Sequence, residues 1–152
     1  MDETPFRVSV SILSSSQTHH IMSDKLNSAA KAALMETLQN GGSSTSPKDF
    51  TSPTSGYMVG GWASECTLLT FGKSKDVIEM TFVEWFYDFC QSALFTSDGM
   101  NLPTYVGTWI EDDNIVFDVS VCFEDKAEAL QAAEDLGERA IYDVSNKETL
   151  YV

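Results

Sequence analysis

Positive charge is scarce in this chain. Nine Lys and Arg stand against 23 Asp and Glu, a net charge of −14 over 152 residues. Binding to phosphate needs a basic footprint, so this balance argues against nucleic acid as a direct ligand. Cysteine is also sparse. Cys66, Cys90 and Cys122 are odd in number, far apart and form no CxxC pair, so neither a disulfide framework nor a zinc motif follows, and they are expected as reduced, mostly buried thiols. The two histidines, His19 and His20, lie far from the cysteines and supply no ligand spacing. No serine or cysteine elbow accompanies them, so they are expected as loop residues rather than as a catalytic base. No run approaches the roughly 18 apolar residues that a membrane span needs. The N-terminal MDETPFRVSV carries acids where a secretory leader carries bases, so the expectation is a cytoplasmic protein that touches no membrane.

The chain does have the material for a core. Its hydrophobic fraction is 43% and its aromatic fraction 11%, values of a globular domain long enough to bury roughly two thirds of its unfolded surface. Charge is unevenly distributed. Residues 1–75 hold six acids and six bases, whereas residues 76–152 hold 17 acids against Lys126, Arg139 and Lys147. The whole excess is therefore downstream, and a basic partner is its natural counterpart.

Period and punctuation give the elements. Arg7 to Leu13 alternates as a strand with one buried face. Ser23 is positioned to cap a helix from Asp24 to about Asn40, with Leu26, Ala30, Ala33, Leu34 and Leu38 in one stripe. Gly41 and Gly42 end it. The tract GGSSTSPKDFTSPTSG reads as an exposed connection, which divides the chain into an N-terminal strand and helix over 1–45, a flexible linker over 46–56 and a core domain over 57–152. Tyr57 to Val59 and Cys66 to Phe71 are expected strands, the second an apolar run inside a sheet. Thr81 and Glu84 form a capping box for a helix from Phe82 to about Phe95. Its inward stripe is Phe82, Phe86, Phe89, Cys90 and Ala93, and Trp85 and Tyr87 point elsewhere. The most self-consistent stretch is Tyr105 to Val144, with a strand to Ile110, a four-residue turn over Glu111 to Asn114 and a strand from Ile115 to Phe123. A helix capped by Asp125 follows, with Ala129, Leu130, Ala133 and Leu136 inward, then a stop at Gly137 and a strand from Ala140. Thr149 to Val152 adds a terminal strand. The expected fold class is α+β, a mainly antiparallel sheet with two or three helices packed against it.

The segments PTSGYMVGG, YVGTWIEDDNIVFDVSVCFEDKAEAL and GERAIYDV together resemble a group of short uncharacterised proteins encoded by bacterial viruses and their hosts, especially actinobacterial ones. The resemblance covers roughly the last hundred residues. It implies a viral or accessory origin and a host-modulating role, and it implies no mechanism.

Candidate chemistry is thin. Glu111, Asp112 and Asp113 lack the spaced oxygen ligands and central glycine of a calcium loop, and turns favour Asp for backbone reasons. GYMVGGW lacks the order of a phosphate-cradling loop, and its glycines suit a bulge or tight turn. Asp118 interrupts an apolar strand, but alternation places it opposite Phe117 and Val119, where solvent exposure accounts for it. The expectation is no catalytic residue, no metal, no cofactor and no enzyme activity. What remains is an acidic surface of Glu111, Asp112, Asp113, Asp118, Glu124, Asp125, Glu128, Glu134, Asp135 and Glu138, with Trp109 and Tyr105 as anchor area if exposed. Carboxylates in that arrangement imitate phosphate rows, so the expected partner is a basic host protein that itself binds nucleic acid, with a homodimer left open. The alternative is a viral structural or assembly protein that self-associates through Trp85, Tyr87 and the Thr149 to Val152 edge. The third reading is an acidic domain whose charge serves solubility.

Overall fold

The computed structural model describes the backbone from Ser15 to Val152 and side chains from Asp24 onward; the expected strand at Arg7 to Leu13 lies outside the described residues. The fold is α+β, and the described residues form three helices and a seven-stranded antiparallel sheet. The elements in chain order are α1 (Ser15–Asn40), β1 (Gly42–Thr45), β2 (Tyr57–Val59), β3 (Cys66–Leu68), α2 (Lys75–Met100), β4 (Thr104–Glu111), β5 (Asn114–Phe123), α3 (Lys126–Leu136), β6 (Ala140–Asp143) and β7 (Glu148–Tyr151).

The sheet is organised about β5. β4 covers one of its edges from Asn114 to Val121. Two strands share the other edge, with β3 paired to Ile115, Val116 and Phe117 and β2 to Val121, Cys122 and Phe123. Between them Asp118, Val119 and Ser120 face a gap that Gly60 to Trp62 crosses, and the Trp62 amide donates to the Val119 carbonyl at 3.3 Å. β1 flanks β4, and β6 and β7 extend the sheet beyond β2.

Odd-numbered residues of β5 face the helices. Ile115, Phe117 and Val119 join Ala30, Ala33 and Leu34 of α1 and Phe82, Phe86, Phe89, Cys90 and Ala93 of α2 in one buried cluster, while Val121 and Phe123 join Ala129 and Ala133 of α3 in a second. The expected α2 stripe is buried as read. Phe117 is the hub of its cluster, with ring centroids of Phe82, Phe89 and Trp85 at 4.8, 5.4 and 5.6 Å. Each such buried ring contributes roughly 1.5–3 kcal/mol. Trp85 is therefore partly taken up by the core and does not point elsewhere, whereas Tyr87 is exposed. Trp62 packs against both clusters, but its indole N–H is buried with no acceptor, at a cost of roughly 1–3 kcal/mol.

Several boundaries differ from expectation, each for a local physical reason. α1 is helical from Ser15, nine residues before Asp24, so His19 and His20 are helical rather than in a loop; the SSSQTHH tract contains no Gly or Pro to stop it. Leu38 is exposed, and its expected place is held by Thr37, whose hydroxyl donates to Ala33 O at 2.7 Å and meets Thr108 Oγ1 at 2.7 Å. The Gly-Ser tract contributes strand β1, because Gly42 lies against β4 so closely that a Cβ would meet the Thr108 carbonyl at 3.1 Å. β3 is a short edge strand with Cys66 exposed. α2 starts at Lys75, with Ser74 rather than Thr81 as its cap and the Ser74 hydroxyl accepting from Val77 N at 3.2 Å. It runs to Met100, stopped by Asn101 in the left-handed region with Pro103 just beyond. In α3, Ala129 and Ala133 are buried as expected and Leu136 is exposed.

Candidate binding face

The β4–β5 hairpin turns on two residues, not four. Asp112 and Asp113 both have positive φ, 52° and 66°, and Glu111 pairs with Asn114 across the ladder. This is the I′ geometry that matches strand twist, and Asp tolerates it without a glycine. The two carboxylates are thus pushed into solvent by backbone necessity. The tip is also fastened sideways to the corner between β3 and α2. Thr70 N donates to Asn114 Oδ1 at 3.1 Å and Thr70 Oγ1 donates to the Asp113 carbonyl at 2.8 Å.

From the tip the acids continue as a band. Glu111 and Glu138 both act on Glu65, whose carboxyl is pushed above its ordinary value first by burial and then by those two charges. Glu138 follows the C-terminus of α3 and lies against Gly61, where a Cβ would stand 2.7 Å from its Oε2. α3 then carries Glu134, Asp135 and Glu128, all exposed, back over roughly 16 Å to Asp125 and Glu124. Asp125 spends one oxygen on the helix cap, accepting from Ala127 N at 3.1 Å, and Asp135 accepts from Gln131 Nε2 at 2.9 Å. Glu111 to Asp113 and Glu124 to Asp125 sit at opposite ends of β5, roughly 30 Å apart. The acids are therefore spread along β5 and α3 rather than gathered in one compact spot, and Glu65 lies within electrostatic reach of Glu138 and Glu111.

Asp118 does not belong to this surface. Alternation does place it on the face opposite Phe117 and Val119, but it is 1% exposed, contrary to the expected solvent exposure. The cause is the chain crossing the gap in β5's edge. Gly61 N donates to Asp118 Oδ2 at 2.8 Å and Val119 N donates to its Oδ1 at 2.7 Å. A Cβ on Gly60 would stand 2.5 Å from Oδ2, so the glycine pair of GYMVGGW is what allows this approach. Burial pushes the Asp118 carboxyl up to about 6, the two amides oppose that shift, and Glu65 and Glu138 add to it.

Tyr105 and Trp109 share the helix-free side of β4 and are half-buried, not open anchors. Burial raises the Tyr105 phenol above its ordinary value, with Cys122 and Asp49 contributing. Trp109 Nε1 donates to Glu111 Oε1 at 3.2 Å, so its polar edge is engaged within the chain. Glu65 is the residue that sequence reading missed. Its signal was the glycine pair four residues before it, which implied a bend but not where the bend would carry the chain.

Among the described residues no group of three or more His, Cys, Asp or Glu side chains comes together to hold a metal ion, and no helix is long and apolar enough to cross a membrane. Set against protein-family models, curated proteins and solved structures, the chain matches none.

Proposed function

We propose that this chain acts by binding a basic protein through the acidic band that runs from the hairpin tip, across Glu65 and Glu138, to α3. In its specific form the proposal is a virus-encoded accessory protein that occupies the nucleic-acid-binding surface of a host defence protein, its carboxylates taking the place of phosphates. One observation carries the reading. Glu111, Glu65 and Glu138 come from three separate parts of the chain, and the charges of Glu138 and Glu111 both act on the Glu65 carboxyl, a juxtaposition that solubility alone does not require. Repulsion within such a like-charged cluster is relieved when Arg or Lys arrives from a partner. The resemblance of the last hundred residues to virus-encoded proteins supports the finer part.

The test is capture of host proteins at low and high salt, followed by competition between the captured protein's own duplex and this chain. A folded variant reversed at Asp112, Asp113, Glu134 and Asp135 should lose binding. Its retention of full binding and inhibition would sink the proposal, as would a partner that binds DNA and this chain at the same time.

A further inference from the structure

We infer that the corner between β3 and α2 is the docking point for a cationic amphipathic segment of another protein, with Phe71 as its apolar anchor. This rests on the reading that the chain binds a basic partner, and it moves the anchor away from Tyr105 and Trp109. Phe71 is 96% exposed, and Leu69, Val77 and Met80, on either side of the Ser74 cap, are exposed as well. Scattered exposed hydrophobes are ordinary, but here four large ones fall within a dozen residues of chain about a single corner. An aromatic ring here offers on the order of 150 Å² or more to a partner.

The corner is held in place. Lys73 N donates to the Thr70 carbonyl at 3.1 Å, Gly72 takes φ +76°, and Thr70 is bonded twice to the hairpin tip. An anchor already fixed by its own turn costs little ordering on binding. Around it stand the carboxylates of Asp76, Glu79, Glu111, Asp112 and Asp113 against the ammonium groups of Lys73 and Lys75, so the rim is acidic. A second copy of the chain would set these acids against themselves. A segment with an apolar stripe flanked by Lys and Arg satisfies both features at once, the stripe on Phe71 and the cations on the hairpin.

The experiment titrates the isotope-labelled full chain with a synthetic helical peptide bearing a leucine stripe flanked by Lys and Arg, and follows amide shifts by NMR. The expected result is shifts concentrated at 69–80 and 111–114, with Phe71→Ala weakening binding at least tenfold. Phe71 is solvent-exposed, so that variant should keep its folded spectrum. Shifts that map elsewhere, or unchanged affinity in Phe71→Ala, overturn the inference. The paired variant Asp112→Lys with Asp113→Lys separates the two readings. If it weakens binding while Phe71→Ala does not, the acidic band stands and the anchor falls. If it leaves binding unchanged, both fall.

Discussion

Replacing Asp118 with Asn tests how the gap in β5's edge is held. The carboxyl has an ordinary value of 3.8 and is pushed up to about 6 in the fold, by burial first. Between these two values the folded state binds more protons than the unfolded one, so stability falls as pH rises through that window. The ionised carboxylate costs the fold roughly 2–3 kcal/mol by pH 7 relative to pH 4, since each pH unit of displacement is worth roughly 1.4 kcal/mol. Glu65 and Glu138, whose charges add to that upward shift, remain in the variant, so the difference between the two curves reports position 118. The measurement is urea unfolding of wild type and Asp118→Asn at half-unit steps from pH 4 to 7.5. The wild type should lose roughly 2–3 kcal/mol more than the variant across the range. Asn keeps one acceptor and sets its NH2 against an amide donor, so the variant should start lower at pH 4, by roughly 1–3 kcal/mol. Parallel curves would refute the reasoning, because they would mean that the charge at position 118 is as well solvated folded as unfolded.

Gly61→Ala should destabilise by roughly 1–3 kcal/mol in the same assay, because φ +91° strains any residue with a Cβ, while the Glu138 carboxylate that this Cβ would meet can swing aside; a neutral result would show that the bend relaxes freely. Native thiol titration at pH 8 should find Cys66 fast, Cys122 slow and Cys90 silent until denaturant is added. Cys66 is exposed, Cys122 is half-buried with its thiol donating to Ser55 O, and burial pushes the Cys90 thiol up to about 12. Three equally fast thiols in the folded protein would contradict the burial.

Local rules were readable from residue order alone wherever one short-range interaction decides. Asp125 as the cap of α3, Gly137 in the left-handed region behind it, the α2 stripe and the alternation of β5 all follow from periods and caps within a few residues. The start of α2 was misplaced because Thr81 and Ser74 both head acceptable helices. The earlier cap prevails when nothing between the two breaks the helix. The same holds for the polar tract before Ser23.

What the residue order could not reveal is long-range placement. That Gly42–Thr45 is a strand depends on β4 lying beside it, since its own composition says loop. Asp118 carries the right alternation and the wrong exposure, because the residues that cover it belong to a segment more than fifty positions earlier that bends across a gap between two short strands. The total of acids, and their position downstream of residue 75, were settled by the sequence. Which of them act on one another depends on the fold, which brings Glu65 within electrostatic reach of Glu138 and Glu111, and on a hairpin whose twist requires two residues of positive φ at its tip. Charge is additive along a chain, whereas a surface depends on which distant segments the sheet brings into register.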